Sequence, residues 1–468
     1  MQKRMIFIVS ALLILLGSLA QAQEKKPDEP TTGELAAGAG FETLHYKNVN
    51  ITPGGFFEAA TLFRSANENA DVGSTYRDIP LQKTADAAMH EFRMTARQSR
   101  VSLLAETENS GTKVSGYLET DFLGAAPTAN ETESNSWNLR LRQAWSNFDF
   151  PSGFSVTMGQ AWSLLTTNRS GLKPRSEFLP MTIDAQYVVG YNWARQMQVR
   201  LTEKFSDAVM GAVSLENPET NIAGVVLPAN VQGFNSSANA ASPNSLTNAT
   251  LSTDGYPDAV GKMVFEPGWG HYEVKVLGRA FKDRLNEENH VAFGNGVGAA
   301  ALLPLLSNVT LVAEGLSGAG IGRYGAAVGP DVMAKADGTL KPIRANQLLA
   351  GLEWHPTTAW DVYAYYGLEH YQRTTDGATK IGYGSDLNDL TVCLKEVGPT
   401  TGGVCQANQT IYQVQPGFWY RFFKSKEGTA AWGLSYSYTH RELWTGASDL
   451  QPKAGEHIGM TSFRYYLP

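Results

Sequence analysis

The connections between strand-like segments sort by length along this 468-residue chain, and no other feature limits its possible folds as strongly. About sixteen segments of alternating apolar and polar residues run from residue 54 to residue 466. The short connections are ETENSG, PSG, FSD, EPGWG, LLS, PTTA and KSKEG. The connections that alternate with them are mostly long and cover 65–90, 123–135, 162–184, 218–257, 284–289, 318–343, 373–408 and 444–455. Short turns on one side and long loops on the other are typical of a membrane barrel. The pattern therefore predicts an all-β transmembrane antiparallel β-barrel of about 16 strands, with short periplasmic turns and long extracellular loops.

Within the segments, apolar and polar residues occupy opposite faces, because side chains alternate along a strand. In the segment 136–149, the predicted lipid-facing set is Trp137, Leu139, Leu141 and Trp145, and the predicted inward set is Asn138, Arg140, Arg142 and Ser146. A half-buried sheet in a soluble protein would show the same alternation strand by strand. The sorted loops and the N-terminal leader favour the barrel.

The first residues have the features of an export signal. Lys3 and Arg4 precede an apolar run at 5–16, and an A-x-A cleavage site ends at Ala22. We predict a signal peptide at 1–22, a flexible periplasmic segment at 23–50 and a transmembrane β-barrel porin domain at 51–468. A membrane anchor is the alternative for the apolar run, which is short for a helical span of about 20 residues.

Composition excludes several functional classes. The formal net charge of −7 argues against a nucleic-acid partner. The only two cysteines, Cys393 and Cys405, lie in one Gly-rich stretch, and in an exported chain they predict a local disulfide rather than a metal pair. The histidines are scattered without metal-ligand spacing, and no P-loop or nucleophile elbow is present. We therefore predict no metal, no cofactor and no enzyme activity.

The stretch EFRMTARQSRVSL at 91–103 alternates like a strand and yet carries Arg93, Arg97 and Arg100. On the lipid face, each arginine would cost about 2–4 kcal/mol at the bilayer midplane. Arg93 and Arg97 share parity while Arg100 does not, and the apolar residues change parity at the same place. A β-bulge near residues 98–99 would direct all three arginines into the barrel.

Further charged residues are expected to line the same interior. The third long loop, 162–184, is long enough to fold into the lumen and carries three of them. The predicted pore-lining and constriction set is Arg93, Arg97, Arg100, Arg140, Arg142, Arg169, Lys173, Arg175, Arg200, Glu119 and Asp121. Arg195 breaks the alternation of its strand, and the pattern offers no account of it.

Such a basic constriction would attract anions, especially small carboxylates, which arginine binds through two parallel hydrogen bonds. The alternative is a rigid wall in which the arginines are paired with Glu119, Asp121 and Glu177. A surplus of arginines without carboxylate partners would favour selectivity over this structural role.

Part of the chain resembles DcaP-like porins. The runs TARQSRVSL, GYLETDF, NLRLRQAW, MGQAWSLL and LPMTIDAQYVVGYNWARQMQVRLTE follow in the order and spacing of that family and cover about 91–204, under a third of the mature chain. The resemblance implies a trimeric outer-membrane porin of sixteen strands that takes up small anionic solutes, dicarboxylates among them. Arg97, Arg100, Arg140 and Arg142 fall within the matching runs. A helical coiled-coil extension seen in the family has no counterpart, because 23–50 is too short and too rich in Gly and Pro.

Together these features predict a diffusion porin of the bacterial outer membrane, without enzyme activity, in contact with lipid and lipopolysaccharide. Its expected partners are small anionic solutes and two further copies of itself. One alternative is a barrel enzyme of the phospholipase type, which would need a lipid-facing Ser–His pair near the outer rim. The other is a plugged structural or adhesive barrel, which would have a blocked lumen.

Overall fold

The computed structural model describes residues 43–68, 70–124, 137–223, 252, 254–285, 287–378, 380–396 and 403–468. The predicted signal peptide and most of the predicted segment 23–50 lie outside these residues. The sheet begins earlier than the predicted boundary at residue 51, because the short strand Leu44–Tyr46 pairs with a barrel strand that starts at Val49.

Sixteen antiparallel strands form the barrel, which confirms the predicted fold class. They are β1 (Val49–Arg64), β2 (Glu91–Thr95 continued by Arg100–Asn109), β3 (Thr112–Gly124), β4 (Asn138–Asp149), β5 (Phe154–Trp162), β6 (Arg195–Ser206), β7 (Val209–Glu216), β8 (Asp258–Phe265), β9 (His271–Leu285), β10 (Glu288–Leu306), β11 (Val309–Ala319), β12 (Arg344–Thr357), β13 (Trp360–Tyr371), β14 (Asn408–Ser425), β15 (Gly428–Leu443) and β16 (Lys453–Tyr466). The last strand pairs with the first, from Phe56 opposite Tyr466 to Arg64 opposite Ile458, and this pairing closes the barrel.

The remaining regular structure lies in the connections. It comprises two small hairpins, Val332–Ala334 with Leu340–Pro342 and Thr374–Asp376 with Ile381–Tyr383, one α-helical turn at Ala85–Ala88, and 3-10 turns at Tyr76–Asp78, Gly322–Tyr324, Thr391–Leu394, Gly403–Gln406 and Ala447–Asp449. Within the described ranges, no helix combines the length and the apolar character that a membrane crossing needs.

Strand β16 illustrates how the sequence produces the wall. Glu456 and Arg464 point inward and are 0% and 9% exposed, whereas Phe463 points outward and is 54% exposed. Moving a large apolar side chain from water into an apolar medium is worth about 1.5–3 kcal/mol, so these outward positions favour lipid. Aromatic side chains beside the short turns are exposed, including Phe150, Trp269, Trp354, Phe422 and Phe423, as is typical at the boundary of a membrane.

A bulge interrupts β2 where the sequence predicts one. Thr95 pairs with Ala60 and Arg100 pairs with Phe56, so β2 advances five residues while β1 advances four. The extra residue changes the phase of the strand. The outward apolar side chains are therefore the even-numbered Phe92 and Met94 before the bulge and odd-numbered residues after it.

A second bulge, which the pattern did not indicate, lies in β4. Glu119 pairs with Gln143 and the next residue of β3 pairs with Leu141, so Arg142 is the extra residue. Arg142 and Gln143 are both buried inside the barrel as a result. Trp145 follows them inward, is 7% exposed and donates a hydrogen bond to the Gln143 side chain at 3.2 Å. The prediction that Trp145 faces lipid is therefore wrong.

Loop 3, which we define as residues 163–194 between β5 and β6, folds back into the barrel. Strand β6 begins at Arg195, ten residues later than the predicted start at 185, because residues 185–194 belong to this loop. Most of the loop's apolar side chains are almost fully buried, among them Leu164, Leu165, Phe178, Ile183, Val188, Val189 and Tyr191. Side chains of the connection between β11 and β12 pack against them, including Ile321, Tyr324 and Met333. Loops therefore occupy much of the barrel interior.

Hydrogen bonds hold loop 3 against the strands of the opposite wall. The backbone N–H groups of Asn168, Val189 and Gly190 donate to the side chains of Glu273, Gln413 and Glu369 at 2.7, 3.0 and 2.9 Å. Gly190 has a φ of +83°, and a Cβ at this position would lie 2.0 Å from the Leu348 carbonyl oxygen. Only glycine permits so close an approach of the loop to the wall.

Candidate functional site: an arginine-rich constriction

A small cavity separates loop 3 from the inner face of β1–β4. Its volume is about 50 Å³, and its walls include Arg100, Tyr117, Glu119, Gln143, Arg175 and Glu177. A polar cavity of this size has room for water. Loop 3 packs tightly against the opposite wall of the barrel. Within the described chain, space therefore remains on the near side, along the strands that carry the arginines, and the cavity lies there.

Two buried carboxylates organise the arginines of β2 and β4. Arg140 binds Asp121 through two hydrogen bonds of 3.0 and 2.7 Å. Arg142 bridges both carboxylates, with Nε 2.6 Å from Glu119 and Nη1 3.0 Å from Asp121. Arg100 lies 3.5 Å from the other oxygen of Glu119. Arg140 and Arg142 share the inward parity of the strand, and the bulge after Leu141 adds Gln143 to the same interior.

Arg97 links the wall to the first long loop. Its guanidinium pairs with Asp71 and lies 3.7 Å over the ring of Trp137. Arg93 lies one step nearer the outer end of the strand and pairs with Glu91 at 3.2 Å. Asp71 was not among the predicted site residues, since it is one of four acidic residues in a 26-residue connection without periodic alternation.

Arg175 is a cation for which the described part of the chain shows no carboxylate partner. It lies on loop 3 in a left-handed backbone conformation, with a φ of +72°, and its guanidinium is 4.9 Å from the centre of the Tyr117 ring. Its side chain is partly exposed toward the cavity. Among the described residues it makes no ion pair and no hydrogen bond through its side chain.

Arg195 is a second such cation. Its guanidinium lies 5.0 and 5.1 Å from the ring centres of Trp162 and Trp193. No ion pair to it exists within the described part of the chain; Arg140 and Arg142 repel it, and Asp121 and Glu119 attract it from beyond ion-pair distance. Its break in the alternation has a structural reason, because β6 starts at this residue and the preceding chain is loop.

Three predicted site residues lie away from this group. Arg169 binds Glu353 on β12 through two hydrogen bonds of 2.8 and 3.0 Å. Lys173 is largely exposed and pairs with Asp149 at 2.7 Å, beside a short turn. Arg200 points inward but is 1% exposed, with its guanidinium hydrogen-bonded to the Trp162 carbonyl at 2.6 Å. Arg169 and Lys173 lie on parts of loop 3 that are away from the cavity, and loop 3 covers Arg200.

A polar contact joins loop 3 to the first long loop. The Ser74 hydroxyl donates to Asp184 at 2.7 Å, and the backbone N–H of Gln186 donates to the same carboxylate at 2.8 Å. Burial raises the pKa of Asp184 above its ordinary value, and these hydrogen bonds oppose the shift. The contact ties the two connections together above the constriction.

The cysteines and potential metal ligands lie outside this site. Cys393 and Cys405 form a disulfide, with their Cα atoms 5.5 Å apart. The disulfide packs with Ile79 and Leu81 of the first long loop, and so joins two extracellular connections. Within the described ranges, no group of three or more His, Cys, Asp or Glu residues is arranged to hold a metal ion.

Comparison of the sequence with protein-family models and with curated proteins finds no match. Solved structures do match the fold. The outer membrane channel DcaP of Acinetobacter baumannii superposes with a TM-score of 0.66 at 18% identity, covering 92% of this chain and 100% of the channel. OmpF of Salmonella typhi, in its complex with daunomycin, gives a TM-score of 0.50 at 10% identity and covers 91% of this chain and 100% of its own.

At such low identity the likeness concerns the fold. A closed barrel satisfies every backbone hydrogen bond within the sheet, and this one turns an apolar surface outward, as a membrane requires. The protein is therefore a sixteen-stranded β-barrel of the bacterial outer membrane, with the fold of the channel DcaP.

Proposed function

We propose that this protein is a diffusion porin for small hydrophilic solutes and that it favours anions. The observation that carries the proposal is the charge balance of what we call the constriction cluster: Arg97, Arg100, Arg140, Arg142, Arg175, Arg195, Asp71, Glu119, Asp121 and Glu177. Six arginines face four carboxylates in this cluster, and two of the arginines, Arg175 and Arg195, have no carboxylate partner among the described residues. This surplus supports selectivity over a purely structural wall.

Arg175 lines the cavity directly, and its charge matters because the cavity is narrow and walled by protein. At an effective dielectric constant near 20, unit charges 4 Å apart interact by about 4 kcal/mol. Beside Arg175 an anion is attracted and a cation is repelled, while Glu119 and Glu177 in the same walls act in the opposite sense. Water in the cavity reduces both effects but leaves their sign unchanged.

The proposed solutes are small carboxylates, with dicarboxylates among them. A guanidinium group matches a carboxylate through two parallel hydrogen bonds. Arg175 can offer this geometry to a solute, because its side chain is partly exposed and stacks on Tyr117 rather than pairing with an acid. Solutes larger than water enter this cavity of about 50 Å³ only as side chains such as Arg175 move aside.

Planar-bilayer recording of the purified protein tests the proposal. The reversal potential in a potassium chloride gradient should indicate a preference for chloride, and a panel of mono- and dicarboxylate salts then ranks the anions. An Arg175→Gln, Arg195→Gln double variant should lose the preference. Cation selectivity in the unaltered protein would overturn the charge argument.

A plugged barrel with a structural or adhesive role is the second candidate, because the loops fill so much of the interior. The two candidates differ in one measurement. Correctly folded protein that gives no ohmic steps in the bilayer would establish the plugged barrel and remove the porin. A non-enzymatic channel likewise predicts that detergent-solubilised protein releases no fatty acid from phospholipid.

We further propose that the protein assembles as a homotrimer in contact with lipopolysaccharide. Three neighbouring strands, β2 to β4, expose large apolar side chains on the outer wall: Phe92 is 68% exposed, Met94 73% and Leu139 61%. Contiguous apolar surface of this kind suits a subunit interface within the membrane as well as lipid. Sedimentation of the protein in mild detergent distinguishes a trimer from a monomer.

A further inference from the structure

A groove runs along the outer wall on the side formed by β5–β9, around the barrel from the exposed surface of β2–β4. It has a volume of about 410 Å³. Outward side chains form its sides, among them Leu201, Phe205, Val213, Met263, Val274 and Val276. No ion pair crosses it in the described structure, and the one acidic side chain at its edge is Glu203.

Two glycines create the depression. Gly211 and Gly261 occupy outward positions on β7 and β8, where neighbouring outward positions carry Val213 and Met263. A Cβ at Gly211 would lie 2.9 Å from the sulfur of Met263, and a Cβ at Gly261 would lie 2.9 Å from a methyl group of Val276. Side chains at these positions would therefore fill the groove.

The groove lies near the periplasmic ends of its strands. Gly211 is two residues after the start of β7, and Met263 is two residues before the end of β8, so both are close to the short periplasmic turns. Trp269 and Tyr272 contact each other at the next turn, with ring centres 4.8 Å apart. Aromatic residues of this kind mark the boundary between headgroups and hydrocarbon. The groove thus begins beside this boundary and continues into the inner leaflet.

We propose that this groove binds one acyl chain of an inner-leaflet phospholipid. Transfer of an apolar chain from lipid to protein gains little from the hydrophobic effect, since both surroundings are apolar. The gain comes from van der Waals contact, because an empty groove leaves its lining without partner atoms on one side. A flexible chain that descends from a headgroup at the aromatic boundary has the direction and the flexibility to lie along the groove, with the side chains of Phe205, Met263 and Val276 adjusting beside the two glycines.

Spin-labelled phosphatidylethanolamine in vesicles of phosphatidylethanolamine and phosphatidylglycerol tests this site, with the label on the acyl chain. The reconstituted protein should show a motionally restricted spectral component. Val213→Phe fills the groove from an exposed position, and Gly261→Leu fills it from the floor. Either change should weaken the specific association about tenfold, equivalent to about 1.4 kcal/mol.

Val414→Phe is the matched control, because Val414 is an outward residue on β14, 43% exposed, away from both the groove and the exposed surface of β2–β4. It should leave the restricted component unchanged. Equal spectra for Val213→Phe and Val414→Phe would overturn the proposal. A change of oligomeric state in Val213→Phe alone would also overturn it, because a second copy would then occupy the groove. Since Val213 is already exposed, its replacement does not depend on repacking the barrel, and the test is independent of channel activity.

Discussion

The Nε atom of Arg142 lies 2.6 Å from the Oε1 atom of Glu119, and both residues are at least 95% buried. Breaking a buried ion pair by removing one partner leaves the other charge uncompensated, at a cost of about 3–5 kcal/mol. Arg142→Ala should therefore lower the stability of the folded barrel by roughly this amount and, together with Arg97→Ala, shift permeability toward cations. Heat-induced unfolding on electrophoresis and the reversal potential measure the two effects. An unchanged permeability ratio in the folded double variant would exclude both arginines from the filter.

Arg175→Gln removes a cation that has no carboxylate partner in the described chain, so its main effect should be on permeation. We expect the anion-to-cation permeability ratio to fall roughly twofold or more, because the field in the cavity weakens. Lys173→Gln removes the same charge from the same loop at a largely exposed position paired with Asp149, and should change the ratio much less. If the two variants behave alike, the position of Arg175 beside the cavity has no special role.

Gly190→Ala tests whether loop 3 controls the width of the passage. The added Cβ would lie 2.0 Å from the Leu348 carbonyl oxygen, so the loop must move off the wall. Overpacking of this kind costs about 1–3 kcal/mol, and the displaced loop should change the single-channel conductance and increase its noise. Gly171→Ala is the control: this glycine also has a positive φ, but its nearest neighbour to an added Cβ is 3.8 Å away. Identical conductance in both variants would contradict a fixed loop 3.

Replacement of Cys393 and Cys405 by serine should loosen the extracellular connections and spare the barrel. A disulfide that closes a short loop contributes about 3 kcal/mol or less, and here the cost falls on the packing with Ile79 and Leu81. Limited proteolysis of intact cells should cut the double variant faster in the connection between β13 and β14. Loss of the folded barrel itself would show that the disulfide supports more than these loops.

The strand pattern was predictable because one physical rule repeats sixteen times. In every strand, side chains that face lipid alternate with side chains that face the interior, so apolar residues recur with a period of two. This period located β16, in which Phe463 faces outward and Arg464 faces inward. The bulge in β2 was also predictable, since arginines and apolar residues change parity together. The bulge in β4 was not, because Trp145 is acceptable on either face and kept the apparent alternation intact.

The constriction was predictable only in part. Arg140 and Arg142 lie on a strand, and the alternation places them inside. Arg169 and Lys173 lie on loop 3, whose path depends on hydrogen bonds to distant strands such as the one from the Asn168 backbone to Glu273. Residues 185–194 also resemble a strand in sequence, although they belong to loop 3. A loop that packs inside a protein contains as many apolar residues as a strand of the barrel.

The pairing of β1 with β16 has a consequence for biogenesis. Until these two strands meet, each offers a row of open backbone donors and acceptors, and such edges promote aggregation in water. The polypeptide must be kept from self-association throughout its crossing of the periplasm, since its first barrel strand waits for a partner almost four hundred residues later in the chain. Closure of the barrel therefore requires the whole chain and cannot be completed by successive hairpins alone.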